Sequence, residues 1–436
     1  MKKILSLILV LVLVFAVVAC TSEPTTTTPP VQEPGPADPP PADPPPADPT
    51  DPVDPVDPGF EFNENWKIAI VTNTMDQNEE EFRSAQSMIL KYGEDRVIHR
   101  LWPTNFTQEG ELMISVLGNL AADHDVKAII INQAVINTNA AIDRVRQLRG
   151  DDVFIVVASP AENVEDVAVR ADLILMPNDP LLGKLIAEQA HTMGAETIGF
   201  YSFERHLAVA TIAMRREAMK ERAEELGMTF VDLVAPDPVA DGTPATQLHI
   251  TQDVPRQVEE YGPNIAFFGT NCAMQAPMQL QVVQTGAIYP NPCCPSPYHR
   301  FPETFNIEDM VGTGEFTEDP ETGEPVEILD RRDIVSVVNE LRAVIAEAGM
   351  TGRLSTWPVP GAMMWTAVGA EYSIQWIQGI APQEVGVIDF DLVNTLAEDF
   401  TESLYGERIG ATFVPFDFQG NVYNHWLMCS MDFLTF

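Results

Sequence analysis

Lys67-Ile68-Ala69-Ile70-Val71-Thr72 is the stretch that decides the fold. It is apolar without interruption from Ile68 to Val71 and runs straight into polar Asn73 and Thr74. With no polar alternation, a strand here must be covered on both faces. The period then changes: over 78–92, Phe82, Ala85, Met88 and Ile89 fall on one face of a helix. The same pairing repeats outward. A strand over 96–101 precedes a helix over 108–122, and Lys127-Ala128-Ile129-Ile130-Ile131-Asn132 precedes a helix over 139–148. Val153-Phe154-Ile155-Val156-Val157-Ala158-Ser159 is a fourth strand and Leu173-Ile174-Leu175-Met176 a fifth. Crossover helices supply the cover such strands need, so a parallel, doubly wound sheet is predicted.

The pattern then starts again. Asp179 is placed to cap a helix over 180–193, followed by a strand over 196–202 and a helix over 207–226 that Gly227 ends. A strand over 229–235, a helix around 252–261, the strand Asn264-Ile265-Ala266-Phe267-Phe268-Gly269 and a helix over 273–285 continue it. The fold class is therefore α/β, with two Rossmann-like doubly wound lobes: a first over about 60–178 and a second over about 179–330. Beyond Ile288 the signal weakens. The proline-rich 290–302 and the acidic 315–327 read as loops, helices return near 332–348, 362–378 and 391–404, and the aromatic, strand-like tail 415–436 is expected to pack on the body. Residues 331–436 are read as completing the lobes.

Ahead of the body, Lys2-Lys3, an apolar run from Ile4 to Val18 and Ala19 form a secretory signal peptide, 1–19. Val17-Val18-Ala19-Cys20 resembles the bacterial lipobox, which implies a diacylglycerol on the Cys20 thiol and a chain held outside the cytoplasm. It would sit on the outer face of the cytoplasmic membrane or on the periplasmic side. From Thr21 to Pro58 the chain repeats Pro-Ala-Asp-Pro-Pro and Asp-Pro-Val, a composition that cannot build a core and favours polyproline II. At about 3.1 Å per residue such a stalk reaches on the order of 100 Å. The formal net charge of −39 leaves no electrostatic footprint for nucleic acid.

A signal peptide, lipobox and proline spacer followed by two α/β lobes resemble a solute-binding lipoprotein of the type I periplasmic-binding-protein superfamily. The residues that carry the likeness are the first and third strands, Asp179-Pro180-Leu181-Leu182-Gly183, Arg215-Arg216-Glu217-Ala218-Met219 and Ala266-Phe267-Phe268-Gly269-Thr270-Asn271. Within it the body is similar to a clostridial-type lipoprotein family with a domain of unknown function. The resemblance implies a hinge, a cleft between the lobes, a small polar ligand and an ABC-type permease as partner. A membrane-tethered sensor is the alternative role, and an extracellular enzyme a further one.

In open α/β sheets, ligands bind beyond the carboxyl ends of the strands. That rule selects Thr72, Asn73 and Asp76 after the first strand, Asn132 and Gln133 after the third, and Ser159 after the fourth. It adds Asp179, and on the second lobe Ser202, Phe203, Arg205 and Asn271. Trp102 or Phe203 could stack a ring, and Arg205 could grip a carboxylate or simply pair with a neighbouring acid. Asp76 and Asp179 read equally as helix caps, His206 as a cap or surface residue, and Trp365 and Trp376 as core. Glu79-Glu80-Glu81 reads as a solvated first turn that favours the helix dipole. The sequence has no Gly-x-Ser-x-Gly, His-Glu-x-x-His or Gly-x-x-x-x-Gly-Lys, so no catalytic residue and no cofactor is assigned. Cys272, Cys293, Cys294 and Cys429 are read as disulfide candidates. No metal is assigned, zinc on Cys293-Cys294-Pro295-Ser296-Pro297-Tyr298-His299 being the alternative that matches no familiar spacing.

Overall fold

A computed structural model describes residues 65–75 and 77–436. The signal peptide, Cys20, the stalk and Asp76 lie outside the described residues.

Strands β1 (Lys67–Thr72), β2 (Val97–Leu101), β3 (Val126–Asn132), β4 (Phe154–Ala158) and β5 (Leu173–Pro177) alternate with helices α1 (Glu79–Tyr92), α2 (Gly110–Ala122), α3 (Thr138–Arg149) and α4 (Val164–Ala168). The second unit runs α5 (Asp179–Thr192), β6 (Thr197–Ser202), α6 (Glu204–Leu207), α7 (Ala210–Glu225), β7 (Thr229–Val234), α8 (Thr243–Tyr261), β8 (Ile265–Gly269) and α9 (Gln275–Thr285). After α10 (Phe301–Phe305) come β9 (Met310–Glu318), β10 (Pro325–Arg331), α11 (Ile334–Glu347) and β11 (Ser355–Thr356). The chain ends with α12 (Gly361–Ile377), α13 (Phe390–Tyr405), β12 (Thr412–Phe418), β13 (Asn421–Ser430) and β14 (Leu434–Thr435).

The unbroken apolar runs are sheet interior. Along β1, Ile68 and Ile70 enter one core layer while Ala69 and Val71 enter the other, and β3 divides Ala128 and Ile130 from Ile129 and Ile131 in the same way. Helices α2, α3 and α4 cover one face through Leu117, Ile142 and Val167. On the other face lie α1, α12 and α13, with Met88, Val368 and Val393 inside the layer. Helix α12 is buried along nearly its whole length, as a helix apolar all round must be, and Gly369 lets it press on Val156 of β4.

The first sheet holds seven strands in the order β12-β13-β5-β4-β3-β1-β2, and the second three, β7-β6-β8. Strands β1 to β5 are parallel, β13 joins β5 in parallel, and β12 closes the edge antiparallel to β13. The tail thus does more than pack on the body. Trp426 and Met428 enter one core layer and Leu427 and Cys429 the other, the pattern of a strand interior to its sheet. The second sheet is all parallel and is covered on one side by α8, α9 and α11 through Ile250, Met278 and Leu341.

The chain passes between the sheets three times: after β5, between β11 and α12, and after β13, whose continuation β14 pairs antiparallel with β11. The acidic stretch read as a loop folds as the β9–β10 hairpin. Its turn is built by Asp319 Oδ1, which accepts from the amides of Glu321 and Thr322, and by Gly323 at φ 73°. Helix α8 starts at Thr243, earlier than its apolar pattern, with Pro244 in the first turn, where a missing N–H costs nothing.

Candidate functional site

The carboxyl ends of both sheets face a cleft of about 1010 Å³. Its walls take Asn73, Gln77, Asn105, Gln133 and Ser159 from the first lobe and Arg205, Thr270 and Asn271 from the second. Of the residues selected from sequence, Asn73, Asn132, Gln133, Ser159, Asp179, Arg205 and Asn271 line it.

Asn73 carries the clearest polar offer. Its Nδ2 donates to Glu81 Oε2 at 3.1 Å and to Gln133 Oε1 at 3.3 Å, while its buried Oδ1 has no hydrogen-bond partner among the described residues. A buried acceptor left unpaired costs free energy unless a ligand or water supplies a donor. Ser159 lines the same wall at φ 46°, a left-handed backbone uncommon outside glycine and concentrated at binding sites. Asn132 lines the cleft but spends its Nδ2 on α12, donating to Ala362 O and to Thr366 Oγ1, both at 2.7 Å. Asn271 Oδ1 accepts from the Ala273 amide at 2.9 Å, a cap on the short turn that follows.

Four of the expected contacts do not reach the cleft. Trp102 is 1% exposed, its ring in the core and its Nε1 donating to Gln133 O, so it stacks no ligand. Phe203 is likewise buried and stacks on His206 at 4.2 Å. Thr72 Oγ1 turns to His99 Nε2 at 2.9 Å, and Ser202 Oγ pairs with Thr270 Oγ1 at 3.0 Å. A strand end says where the chain leaves the sheet but not which way the last side chain turns.

Nor does Arg205 await a carboxylate. Its Nε and Nη2 donate to the two oxygens of Asp237, each at 2.7 Å. Asp179 is buried against Arg215, whose Nε donates to Oδ1 at 2.9 Å, while Asn178 is the residue that caps α5. Burial pushes the Asp179 carboxyl up, against the pull of Arg215. Arg300, the remaining guanidinium on the wall, pairs with Glu303 at 3.0 Å.

The solvated acidic turn expected at 79–81 needs correction, because Glu80 and Glu81 are buried at the first turn of α1. Glu81 accepts from Asn73 and Asn78, and burial pushes it up to about 8 against those bonds. It lines the cleft, as do Phe106 and Trp365, which the sequence placed elsewhere or passed over. His206 also lines it, its Nδ1 3.1 Å from Thr270 Oγ1, and burial lowers its pKa to about 3.

The expected disulfides do not form, and all four cysteines of the body are free. Cys429 is buried in β13, opposite Phe413 and Pro177, and burial pushes its thiol up. Cys272, Cys293 and Cys294 gather instead on the cleft wall.

The family described as "Protein of unknown function (DUF3798)" matches residues 66–321, more than half of the chain's 436. This chain belongs to the DUF3798 family. An uncharacterized protein of Treponema pallidum (strain Nichols) is 30% identical to this DUF3798 chain over 172 residues, 39% of the chain and 78% of the relative. A crystal structure from Clostridium difficile 630, of a protein provisionally named a transcriptional regulator, is 21% identical. It has a TM-score of 0.65 and covers 86% of this chain and 99% of its own, a likeness of fold alone. An ABC transporter periplasmic solute binding protein from Actinobacillus succinogenes 130z, with bound D-allose, aligns more loosely: TM-score 0.47, 13% identity, 72% of this chain and 92% of that one. The DUF3798 fold is type I periplasmic-binding-protein-like: two doubly wound lobes joined by several crossings, with a cleft at the strand ends.

Proposed function

We propose that this protein is a lipid-anchored, extracytoplasmic solute-binding protein. It closes its lobes on a small, polar, uncharged ligand and delivers it to an ABC-type permease. The observation that carries this reading is the pairing inside the cleft. Amide and hydroxyl groups from both lobes face a common space, while Arg205, Arg215 and Arg300 are each engaged by a carboxylate of the chain itself. A ligand carboxylate would have to break one of those pairs, whereas a hydroxyl or amide can donate to Asn73 Oδ1 at no such cost. Phe106 and Trp365 add apolar wall, the usual complement of a few orienting polar groups. Closure would bury ligand and both walls together, so binding shifts an open–closed equilibrium.

The test is a screen of sugars, nucleosides, amides and amino acids against the folded body, reading melting temperature and scattering radius. An uncharged solute should raise the first and shrink the second, and Asn73→Ala should weaken that solute about tenfold or more, the loss of one buried hydrogen bond. A library that moves neither quantity, or that yields only carboxylates, overturns the reading. The anchor is tested separately: labelled fatty acid should enter the wild-type chain and not Cys20→Ser.

A further inference from the structure

Three thiols and an imidazole meet on the second-lobe side of the cleft. Cys272 follows β8, and Cys293, Cys294 and His299 come from the proline-rich segment ahead of α10. Their ligand atoms all lie within 4.8 Å of one another. Cys272 Sγ is 3.5 Å from both Cys293 Sγ and Cys294 Sγ, those two are 3.8 Å apart, and His299 Nε2 lies 3.7 Å from Cys293 Sγ. These are four of the six edges of a small tetrahedron, and the remaining two are no longer than 4.8 Å. A zinc ion with arms of about 2.3 Å to sulfur and about 2.0 Å to nitrogen sets neighbouring ligand atoms about 3.5–3.8 Å apart. A disulfide would instead draw two sulfurs to about 2.05 Å and leave the third aside. Here Cys272 is equidistant from the other two.

We propose that Cys272, Cys293, Cys294 and His299 form a closed, four-ligand zinc site. The surroundings support it independently. His299 Nδ1 faces Glu80 Oε2 at 3.2 Å, with both side chains buried, so the carboxylate holds the proton on Nδ1 and turns Nε2 toward the thiols. Glu80 Oε1 is itself held by the Ser296 hydroxyl at 2.5 Å. Asn78 Nδ2 points at Cys272 Sγ and Cys294 Sγ, at 3.8 and 3.9 Å, where an N–H can stabilise coordinated thiolates. This departs from the sequence expectation of no metal. Cys293-Cys294 with His299 alone fits no familiar ligand pattern, and the third thiol lies 21 residues upstream, brought in only by the fold.

The ligands belong to the second lobe and its connecting segment, while Glu80 of α1 and Asn78, the N-cap of that helix, complete the surroundings from the first. The zinc site therefore joins the lobes, with three of its four ligands on the cleft wall.

The test uses the whole chain purified without chelator after growth with zinc. We expect one zinc per chain, its loss from Cys272→Ser, and the thiolate charge-transfer and intense d–d bands of a tetrahedral site on exchange for cobalt(II). Glu80→Gln should weaken zinc about 10–100-fold in competition with a chelator while leaving the cobalt spectrum in place. If the serine variant does not fold, X-ray absorption of the wild-type protein decides, with three sulfurs near about 2.3 Å and one nitrogen near about 2.0 Å expected. A chain that takes up no stoichiometric zinc, a disulfide among the three cysteines, or a metal shell dominated by oxygen overturns the proposal.

Discussion

His99 shows what burial does to one side chain. It sits on β2 with Nε2 against Thr72 Oγ1 and its ring edge-on to Phe82 at 4.9 Å. Burial, with help from Arg100 and against Asp319, lowers its pKa from 6.5 to about 3. The folded chain therefore binds fewer protons than the unfolded one between about pH 3 and about pH 6.5. The stability this histidine contributes is fully present above that window and is lost as pH falls through it, by up to about 1.4 kcal/mol per pH unit. In denaturant titrations between about pH 6 and about pH 4, the wild type should lose stability more steeply than His99→Gln, by a slope of that order. Parallel slopes would show that His99 is not held neutral by the fold. At this scale the sequence was only half legible. Strand ends marked Asn73, Gln133, Ser159 and Asn271 for the cleft. The inward turn of Trp102 and Phe203, and the burial of Glu80 and Glu81 in a run that reads as solvated, depend on neighbours from distant segments.

Among elements, the tightest contact is between α5 and α7. A Cβ on Gly183 would come 2.2 Å from the Arg215 carbonyl and 3.1 Å from the Met219 amide, both backbone, which cannot swing aside. The same approach brings Arg215 to Asp179. Gly183→Ala should therefore destabilise the protein by about 1–3 kcal/mol and lower its melting temperature, although alanine is the better helix former. A variant as stable as the wild type would mean that the two helices pack more loosely than described. Strands β1, β3, β4, β5 and β8 were plain in sequence because each is buried on two faces and so reads as a nearly unbroken apolar run, whereas the edge strands β2 and β7 carry polar residues and exposed positions. Strand β13 was not assigned to its sheet: its buried half, Trp426 to Cys429, follows an exposed polar half, and its partner β5 lies some two hundred and fifty residues earlier. The β9–β10 hairpin was hidden by its charge, since it is mostly exposed and owes its turn to Asp319 and Gly323.

For the whole molecule, the seven-stranded sheet is the feature with the widest reach. Deleting 412–436 would strip β5 of its outer neighbour and open both core layers at once. The shortened chain should show no cooperative melting transition and should bind a hydrophobic dye, whereas a sharp transition near the wild-type temperature would show that β12 and β13 are dispensable. Two lobes and a cleft were foreseeable from the order of elements, but the return of the tail to the first lobe was not, because nothing local records which edge a late strand joins. That return sets an order of assembly. The first lobe's early strands are synthesised before the second lobe, yet its sheet is completed only by residues 412–430, made after it. Strands β1 to β5 can pair with one another early. The β5–β13 pairing spans some two hundred and fifty residues, and long-range pairing of this kind is slow, so the outer edge of the first sheet closes late.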